Sequence, residues 1–105
     1  MRRGEIYWIS LLGRPGHVQT GRRPGVVVQA DELRALSTLL VAPTSTRALP
    51  ASFRPEVIVN GEPTRVLIEQ LGAVDASRIG QLIGRLTVEE QWGVDAALID
   101  VLALH

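Results

Sequence analysis

The sequence contains no cysteine and only two histidines, His17 and His105. Without cysteine there can be neither a disulfide framework nor a thiolate metal site, and two histidines are too few for a histidine-built metal centre. Walker loops, Rossmann glycine patterns and Ser-His-Asp spacings are missing as well. We therefore expect no metal and no cofactor.

Long apolar runs are also absent. No stretch approaches the roughly 20 apolar residues of a membrane helix, and the first five residues lack the apolar core of a signal peptide. A chain of 105 residues with 46% apolar side chains can build one hydrophobic core. We expect a single domain over residues 1–105 that is soluble, cytoplasmic and without a membrane partner.

Lysine is the third absence, since all eleven basic residues are arginine. Arginine presents a planar fork of donors to phosphate or carboxylate and stays charged at any working pH. The charges are segregated: residues 1–54 hold eight arginines against three acids, and residues 55–105 hold three against eight. A basic first half suits a polyanionic partner, whereas the acidic second half argues against nonspecific binding over the whole surface.

The apolar pattern predicts several short strands followed by one helix. β-Branched and apolar runs bounded by glycine and proline predict strands at residues 6–12, 25–30, 37–42, 56–59, 65–71 and 79–86. The third strand is expected to stop at Pro43, and Asn60-Gly61 predicts a tight hairpin between the fourth and fifth. Residues 31–36 are expected to form one helical turn or a wide loop, and residues 75–78 a short helical turn. This order indicates a small antiparallel β-barrel or curled sheet with a helix packed on it.

The C-terminal helix has a clear start signal. Thr87 is the expected N-cap and Glu90, three positions on, completes a capping box, so the helix is predicted to run to about Leu104. One apolar stripe contains Val88, Trp92, Ile99 and Leu102, and further apolar residues widen it. A helix this apolar needs cover on more than one side, from its own sheet or from a second subunit.

The segment Arg22-Arg23-Pro24 marks the candidate site. Two adjacent guanidinium groups stop at a proline that opens a buried strand, so they can bind an anion. The competing interpretation is a solvated loop that leads into a core strand.

The polar residues suit one reaction, the cleavage of RNA by its own 2′-hydroxyl. The substrate supplies the nucleophile, and the protein must move protons and stabilise a phosphorane. Arg23 could clamp the phosphate, Thr44 or Ser45 could donate a hydrogen bond, and Glu69 or His17 could handle a proton. Equally, Glu69 could be an exposed carboxylate at a strand end, paired with an arginine.

Five segments in order resemble the MazF/PemK (Kid) family of toxin endoribonucleases, the mRNA interferases. They are MRRGEIYW (residues 1–8), GHVQTGRRPGVVVQ (16–29), APTS (42–45), EQLGAVD (69–75) and GRLTVEE (84–90). The resemblance implies a mainly β fold with a C-terminal helix, an SH3-like small antiparallel β-barrel of the MazF/CcdB type. It also implies a homodimer that cleaves single-stranded RNA sequence-selectively without a metal, leaving a 2′,3′-cyclic phosphate and a 5′-hydroxyl, and a cognate MazE-like antitoxin.

The resemblance also implies roles for individual residues. Arg23 and Thr44 match the catalytic positions, and Glu69 matches an acid that some members use as the base. The alternates or substrate-binding residues are His17, Gln19, Ser45, Gln70, Arg22 and Arg47.

Three departures from the family pattern keep other functions open. Val18 replaces a loop glutamate, Gly72 replaces an arginine, and Leu67 stands where the PemK branch has an arginine. The alternatives are a non-enzymatic toxin of the same fold, like the CcdB gyrase poisons, and a catalytically weak RNA-binding dimer. The order Arg-Pro, Thr-Ser favours the ribonuclease.

Overall fold

The computed structural model of the chain describes residues 1–11 and 21–105. The strands are β1 (Glu5–Leu11), β2 (Gly21–Val27), β3 (Thr38–Ser45), β4 (Glu56–Val59), β5 (Glu62–Val66), β6 (Gly72–Asp75) and β7 (Ile79–Arg85), and the helix is α1 (Val88–Leu102). Single 3₁₀ turns occupy Asp31–Leu33, Ile68–Gln70 and Ala76–Arg78. The expected mainly β architecture with one C-terminal helix is confirmed.

The strands form an antiparallel half-barrel in the order β4-β5-β3-β2-β1-β7, and β6 pairs with β3. The sheet buries apolar side chains in two separate cores. One core lies under α1 and contains Ile6, Val26, Ala42, Val57, Val59, Val66, Ile68, Val94 and Ala97. The other core contains Ile9, Val27, Leu39, Val41 and Val74. Side chains that alternate along β1 and β2 therefore point to opposite faces of the sheet and pack into different cores.

Two predicted strand boundaries are wrong. β2 begins at Gly21 rather than Gly25, because its first half pairs with β1 down to the Leu11↔Gly21 pair. β3 does not stop at Pro43 but continues to Ser45. Proline lacks only the N–H donor, and the Pro43 carbonyl still accepts a hydrogen bond of 2.8 Å from the Leu67 amide.

The predicted strand over residues 65–71 is also wrong as a single element. β5 ends at Val66, one 3₁₀ turn covers Ile68–Gln70, and an unpredicted strand, β6, starts at Gly72. Val66, Leu67 and Ile68 are all buried. Successive residues of a flat strand point to opposite faces, so the turn is what lets three consecutive apolar side chains enter the interior. Leu67 therefore occupies a core position.

Two local signals are confirmed. Asn60 and Gly61 both have positive φ, 51° and 79°, as a type I′ hairpin turn between β4 and β5 requires. The capping box of α1 is formed in both directions, with Thr87 Oγ accepting from the Glu90 amide and Glu90 Oε1 accepting from the Thr87 amide.

The helix ends earlier than predicted and leaves much of its apolar surface uncovered. It stops at Leu102, and Ala103 takes the left-handed conformation that closes the last turn. Val94 and Ala97 face the core, whereas the predicted stripe is exposed, with Trp92 66% exposed and Leu102 50%. Within the described residues, no helix is both long and apolar enough to cross a membrane.

Candidate functional site at a fork between two strands

The candidate site lies where β2 and β3 separate. Their ladder runs from Val27↔Val41 to Gly25↔Pro43 and then ends, while β3 continues by pairing with β5 at Thr44↔Val66. Pro24 and Pro43 flank the point of separation, and neither has an N–H to extend a ladder. The two strands thus part into a fork whose polar groups must be satisfied by side chains.

Arg23 and Thr44, two of the residues selected from the sequence, contact each other across this fork. Arg23 Nη1 donates a hydrogen bond of 3.0 Å to the Thr44 carbonyl, and the Thr44 hydroxyl donates one of 2.8 Å to the Pro24 carbonyl. The Thr44 side chain is completely enclosed, since the residue is only 1% exposed. Its hydroxyl proton is therefore already engaged in holding the two strands together.

Ser45 is the more accessible hydroxyl of the pair. It is half-buried, and its Oγ accepts a hydrogen bond of 3.1 Å from the Arg47 amide. A hydroxyl that accepts in this way retains its own proton to donate. Arg47 is exposed on the segment just beyond the end of β3.

Glu69 is held by Arg54, a residue that no sequence motif had marked as part of the site. Arg54 Nε and Nη2 donate to the same oxygen, Oε2, at 2.8 and 2.6 Å, and the two side chains are 24% and 26% exposed. Arg54 Nη1 also binds the Leu49 carbonyl at 3.1 Å, and the guanidinium lies 5.4 Å from the Phe53 ring centroid. The alternative interpretation of Glu69, a carboxylate paired with an arginine, describes its contacts in the structure.

The remaining predicted site residues divide into two groups. Gln70 lies beside Glu69 on the same 3₁₀ turn and is half-buried. His17 and Gln19, together with Val18, lie outside the described residues. The predictions for these three positions remain predictions.

Arg22 contacts Trp8 rather than the fork. The β1–β2 register opposes Trp8 to Pro24 and Ser10 to Arg22, so Trp8 and Arg22 are diagonal neighbours on one face of the sheet. The Arg22 Cζ lies 4.6 Å from the Trp8 ring centroid, which is a cation–π contact. The apolar pattern predicts Trp8 in β1 but not this pair, because a diagonal contact becomes visible only once the strand register is known.

The charge segregation in the sequence is partly cancelled in space. Arg3 pairs with Asp95 at 2.8 Å and Arg54 with Glu69 at 2.6 Å, and each pair joins the basic half to the acidic half. Arg22 and Arg47 have no carboxylate within 4.0 Å among residues 1–11 and 21–105. Positive charge therefore persists beside the fork.

A buried carboxylate lies at the other end of β1. Glu5 is 6% exposed and accepts from the Arg2 amide at 2.6 Å, the Tyr7 hydroxyl at 2.8 Å and Arg85 Nη2 at 3.0 Å. The Arg2 amide and the other donors hold the pKa of Glu5 below its ordinary value despite burial. Burial, followed by the bond to Glu5, raises the pKa of Tyr7 to about 12. This network joins the N-terminus to β7.

A metal centre has no obvious ligands in the described part of the chain. There, no group of three or more His, Cys, Asp or Glu side chains lies close enough to hold an ion. The chemistry available at the fork is that of guanidinium, hydroxyl and carboxylate groups.

Comparisons with known proteins agree with the fold and the motifs. A Mycobacterium tuberculosis protein described as a candidate toxin is 41% identical over 73 residues, which cover 69% of this chain and 68% of that protein. The crystal structure of MazF from Deinococcus radiodurans superposes with a TM-score of 0.85 at 22% identity, covering 98% of this chain and 96% of MazF. A mycobacterial endoribonuclease in complex with its cognate antitoxin gives a TM-score of 0.82 at 16% identity, covering 100% and 97%.

The structural likenesses establish the fold, which is that of MazF. The family itself comes from the sequence, because the profile of the PemK-like, MazF-like toxins of type II toxin–antitoxin systems matches residues 2–102, nearly the whole chain. Toxins of this family are generally endoribonucleases. This chain belongs to the PemK-like, MazF-like toxins of type II toxin–antitoxin systems.

Proposed function

We propose that this chain is a metal-independent endoribonuclease that cleaves single-stranded messenger RNA in the cytoplasm at selected sequences. The observation that carries the proposal is the hydrogen bond from Arg23 to the Thr44 carbonyl at the fork, one residue before Ser45 in β3. A guanidinium and a hydroxyl residue at the same strand end supply the kinds of donor that suit a phosphate gaining negative charge in the transition state. Family membership supports the same reaction.

In the proposed reaction the 2′-hydroxyl of the RNA attacks the adjacent phosphorus. The O2′–P bond forms, the P–O5′ bond breaks, and the products are a 2′,3′-cyclic phosphate and a 5′-hydroxyl. One proton must leave the 2′-oxygen and one must reach the departing 5′-oxygen. Arg23 neutralises the phosphorane and Ser45 donates to a nonbridging oxygen.

Thr44 takes a positioning role in this scheme. Its hydroxyl is committed to the Pro24 carbonyl, and its own carbonyl receives Arg23 Nη1. Thr44 therefore joins both strands of the fork and orients the guanidinium. The hydroxyl that donates to substrate is assigned to Ser45, the alternate in the sequence analysis.

Glu69 is the proposed proton acceptor. Both hydrogen bonds from Arg54 end on Oε2, and within the described residues no hydrogen bond reaches Oε1. Oε1 can thus receive a proton while Arg54 holds the carboxylate in place. In this arrangement Arg54 is a positioning residue.

The test is cleavage of single-stranded RNA in the presence of a metal chelator, with mapping of the new ends. Cleavage at defined sites with cyclic phosphate and 5′-hydroxyl ends is expected, and Arg23→Ala should reduce the rate about a hundredfold or more. The matched control is Arg34→Ala, an exposed arginine beyond the other end of β2. Wild-type rates in Arg23→Ala would contradict the proposal.

The catalytically weak RNA-binding dimer is the second candidate, and one observation favours it. The Thr44 proton and one Glu69 oxygen are already occupied within the chain. In that case the protein would bind RNA and release it uncut under the same conditions. A CcdB-like gyrase poison would neither bind nor cut RNA.

We also infer a homodimer built on the uncovered surface of α1. An apolar groove of about 420 Å³ lies along the helix, and the Arg3–Asp95 pair flanks it. Its apolar lining is Val28, Leu40, Leu71, Leu98, Ile99, Leu102 and Leu104. Sedimentation should show a dimer, and Ile99→Glu should dissociate it because this variant places a charge in the groove. Gln81→Glu is the control: it adds the same charge at an exposed position of β7 and should leave the dimer intact. A wild-type monomer at high concentration would contradict the inference.

A MazE-like antitoxin is the expected partner. A flexible segment that neutralises the toxin must compete with RNA phosphate at Arg23, so we expect it to bring acidic or apolar residues there. A bound antitoxin peptide that inhibits cleavage while leaving Arg23 accessible would contradict this arrangement.

A further inference from the structure

We propose that Arg22 and Trp8 form a stacking platform that holds a base of the RNA next to the phosphate-binding fork. This inference rests on the proposed function and specifies how the substrate is gripped. It begins from two adjacent arginines whose side chains have different surroundings. Arg23 reaches across to β3, whereas Arg22 lies over the Trp8 ring on β1.

The strand geometry gives the two arginines different tasks. Consecutive side chains of a strand leave opposite faces, so Arg22 and Arg23 cannot both clamp one phosphate from the same side. Arg23 points to the hydrogen-bonding groups of the fork. Arg22 is held against an indole, which supports its guanidinium from one side.

The exposed side of Arg22 is the surface offered to a ligand. Arg22 is exposed, it lies 4.6 Å from the ring centroid, and among residues 1–11 and 21–105 it makes no ion pair. A guanidinium that is covered on one face by an aromatic ring can stack its other face against a second flat group. Unstacked RNA bases are recognised on such guanidinium planes and on aromatic side chains.

Trp8 is well supported for this role. It is half-buried in β1, opposite Pro24, and β7 approaches it closely. A Cβ at Gly80 would lie 3.3 Å from the Trp8 carbonyl oxygen and 3.5 Å from its Cβ, so glycine permits that approach. Trp8 is consequently a positioning residue for Arg22.

The platform and the fork are adjacent through β2. Pro24 contacts both of them: it is the partner of Trp8 in the β1–β2 ladder, and its carbonyl accepts a hydrogen bond from the Thr44 hydroxyl. The β2–β3 ladder ends at Gly25, so RNA that passes around β2 beyond this point meets Arg23, suited to a phosphate, on one face and Arg22, suited to a base, on the other. Phosphate binding at Arg23 and base stacking at Arg22 would together place the scissile bond.

The decisive comparison uses two probes that the protein cannot cleave. One is a single-stranded oligodeoxynucleotide of mixed sequence, which lacks the 2′-hydroxyl, and the other is an abasic oligomer of the same length. Arg22→Lys retains the positive charge and removes the plane. We expect it to weaken binding of the base-bearing probe by roughly fivefold to a hundredfold while binding of the abasic probe stays within about twofold.

Variants at Trp8 test the support of the platform. Trp8→Leu should reproduce the loss seen with Arg22→Lys, and Trp8→Phe should recover part of it because an aromatic ring is retained. If Trp8→Leu unfolds, Arg22→Lys still decides, because Arg22 is exposed. In a Trp92→Phe background Trp8 is the only tryptophan, so its fluorescence should respond to the base-bearing probe and not to the abasic one.

The outcomes separate this inference from the proposed function. If Arg22→Lys binds both probes like the wild type, the Trp8–Arg22 pair only stabilises the β1–β2 ladder and the inference is wrong, even if RNA is cleaved. Equal losses for both probes would also overturn it, since they would show a phosphate contact. A wild-type protein that discriminates the probes and does not cut RNA would support the platform and reject the ribonuclease.

Discussion

Arg23 donates from Nη1 to the carbonyl of Thr44 at 3.0 Å, across the point where two strands separate. A second hydrogen bond crosses in the opposite direction, since the Thr44 hydroxyl donates to the Pro24 carbonyl at 2.8 Å. The two residues are thus joined through the backbone, and the guanidinium is oriented by a residue with no exposed side chain. The Thr44 hydroxyl is therefore engaged within the chain, whereas the neighbouring Ser45 hydroxyl accepts a hydrogen bond and keeps its own proton to donate.

Thr44→Val should lower the free energy of unfolding by about 1–3 kcal/mol, because the Pro24 carbonyl loses its partner in a buried site. Ser45→Ala should leave that free energy nearly unchanged and reduce RNA cleavage about a hundredfold. Chemical denaturation and single-turnover cleavage measure the two effects. Thr44→Ser keeps the hydroxyl and is the control. Full activity in Ser45→Ala would return the donor role to Thr44.

Glu69→Gln should reduce the cleavage rate by a factor of about 10² or more if its Oε1 accepts the proton, since an amide is not a base. Arg54→Gln should reduce the rate less and destabilise the fold by about 0.2–1 kcal/mol, because the ion pair is partly exposed. A double-mutant cycle on the free energy of unfolding measures the interaction energy between Arg54 and Glu69. Equal rate losses in both variants would show that Glu69 acts only through its pairing with Arg54.

Alkaline solution should destabilise the protein through Tyr7. The pKa of Tyr7 is raised to about 12 in the folded chain by burial and by its bond to Glu5. The unfolded chain therefore loses the phenol proton first, and this contribution to stability is lost as the pH rises from about 10 to about 12. Tyr7 is the only tyrosine, so phenolate absorbance reports it directly. Tyr7→Phe should remove this part of the pH dependence, and an unchanged profile would contradict the assignment.

Two glycines should respond in opposite ways to alanine. A Cβ at Gly25 would lie 2.5 Å from Ile9 Cδ1 inside a core, so Gly25→Ala should cost about 1–3 kcal/mol of stability. A Cβ at Gly72 would have no atom within 4 Å, so Gly72→Ala should be neutral or stabilising by up to about 1 kcal/mol. Thermal unfolding compares them, and similar melting temperatures would contradict the close packing at Gly25.

Much of the fold could be predicted from local patterns. The Asn60-Gly61 turn and the Thr87 capping box formed as expected, because each depends on residues only a few positions apart. The strand predicted over residues 65–71 failed for the opposite reason. Its apolar residues enter the interior through a 3₁₀ turn, and the Leu67 amide that precedes this turn binds the Pro43 carbonyl, far away in sequence.

The site followed the same division. Arg23, Thr44, Ser45 and Glu69 were selected from their residue types together with the resemblance to the MazF/PemK family, and their catalytic roles stay predictions. The contact between Arg54 and Glu69 could not be predicted from the sequence, because Arg54 lies 15 positions before Glu69 and only the fold brings the two side chains together.

The sequence by itself determined the family, the start of the helix and the arginine beside Pro24, because motifs, caps and turns are local. Only the tertiary structure decided that the Thr44 hydroxyl is enclosed and that Arg22 lies over Trp8. Register and the point of strand separation depend on hydrogen bonds between distant segments, and no window of sequence contains both partners.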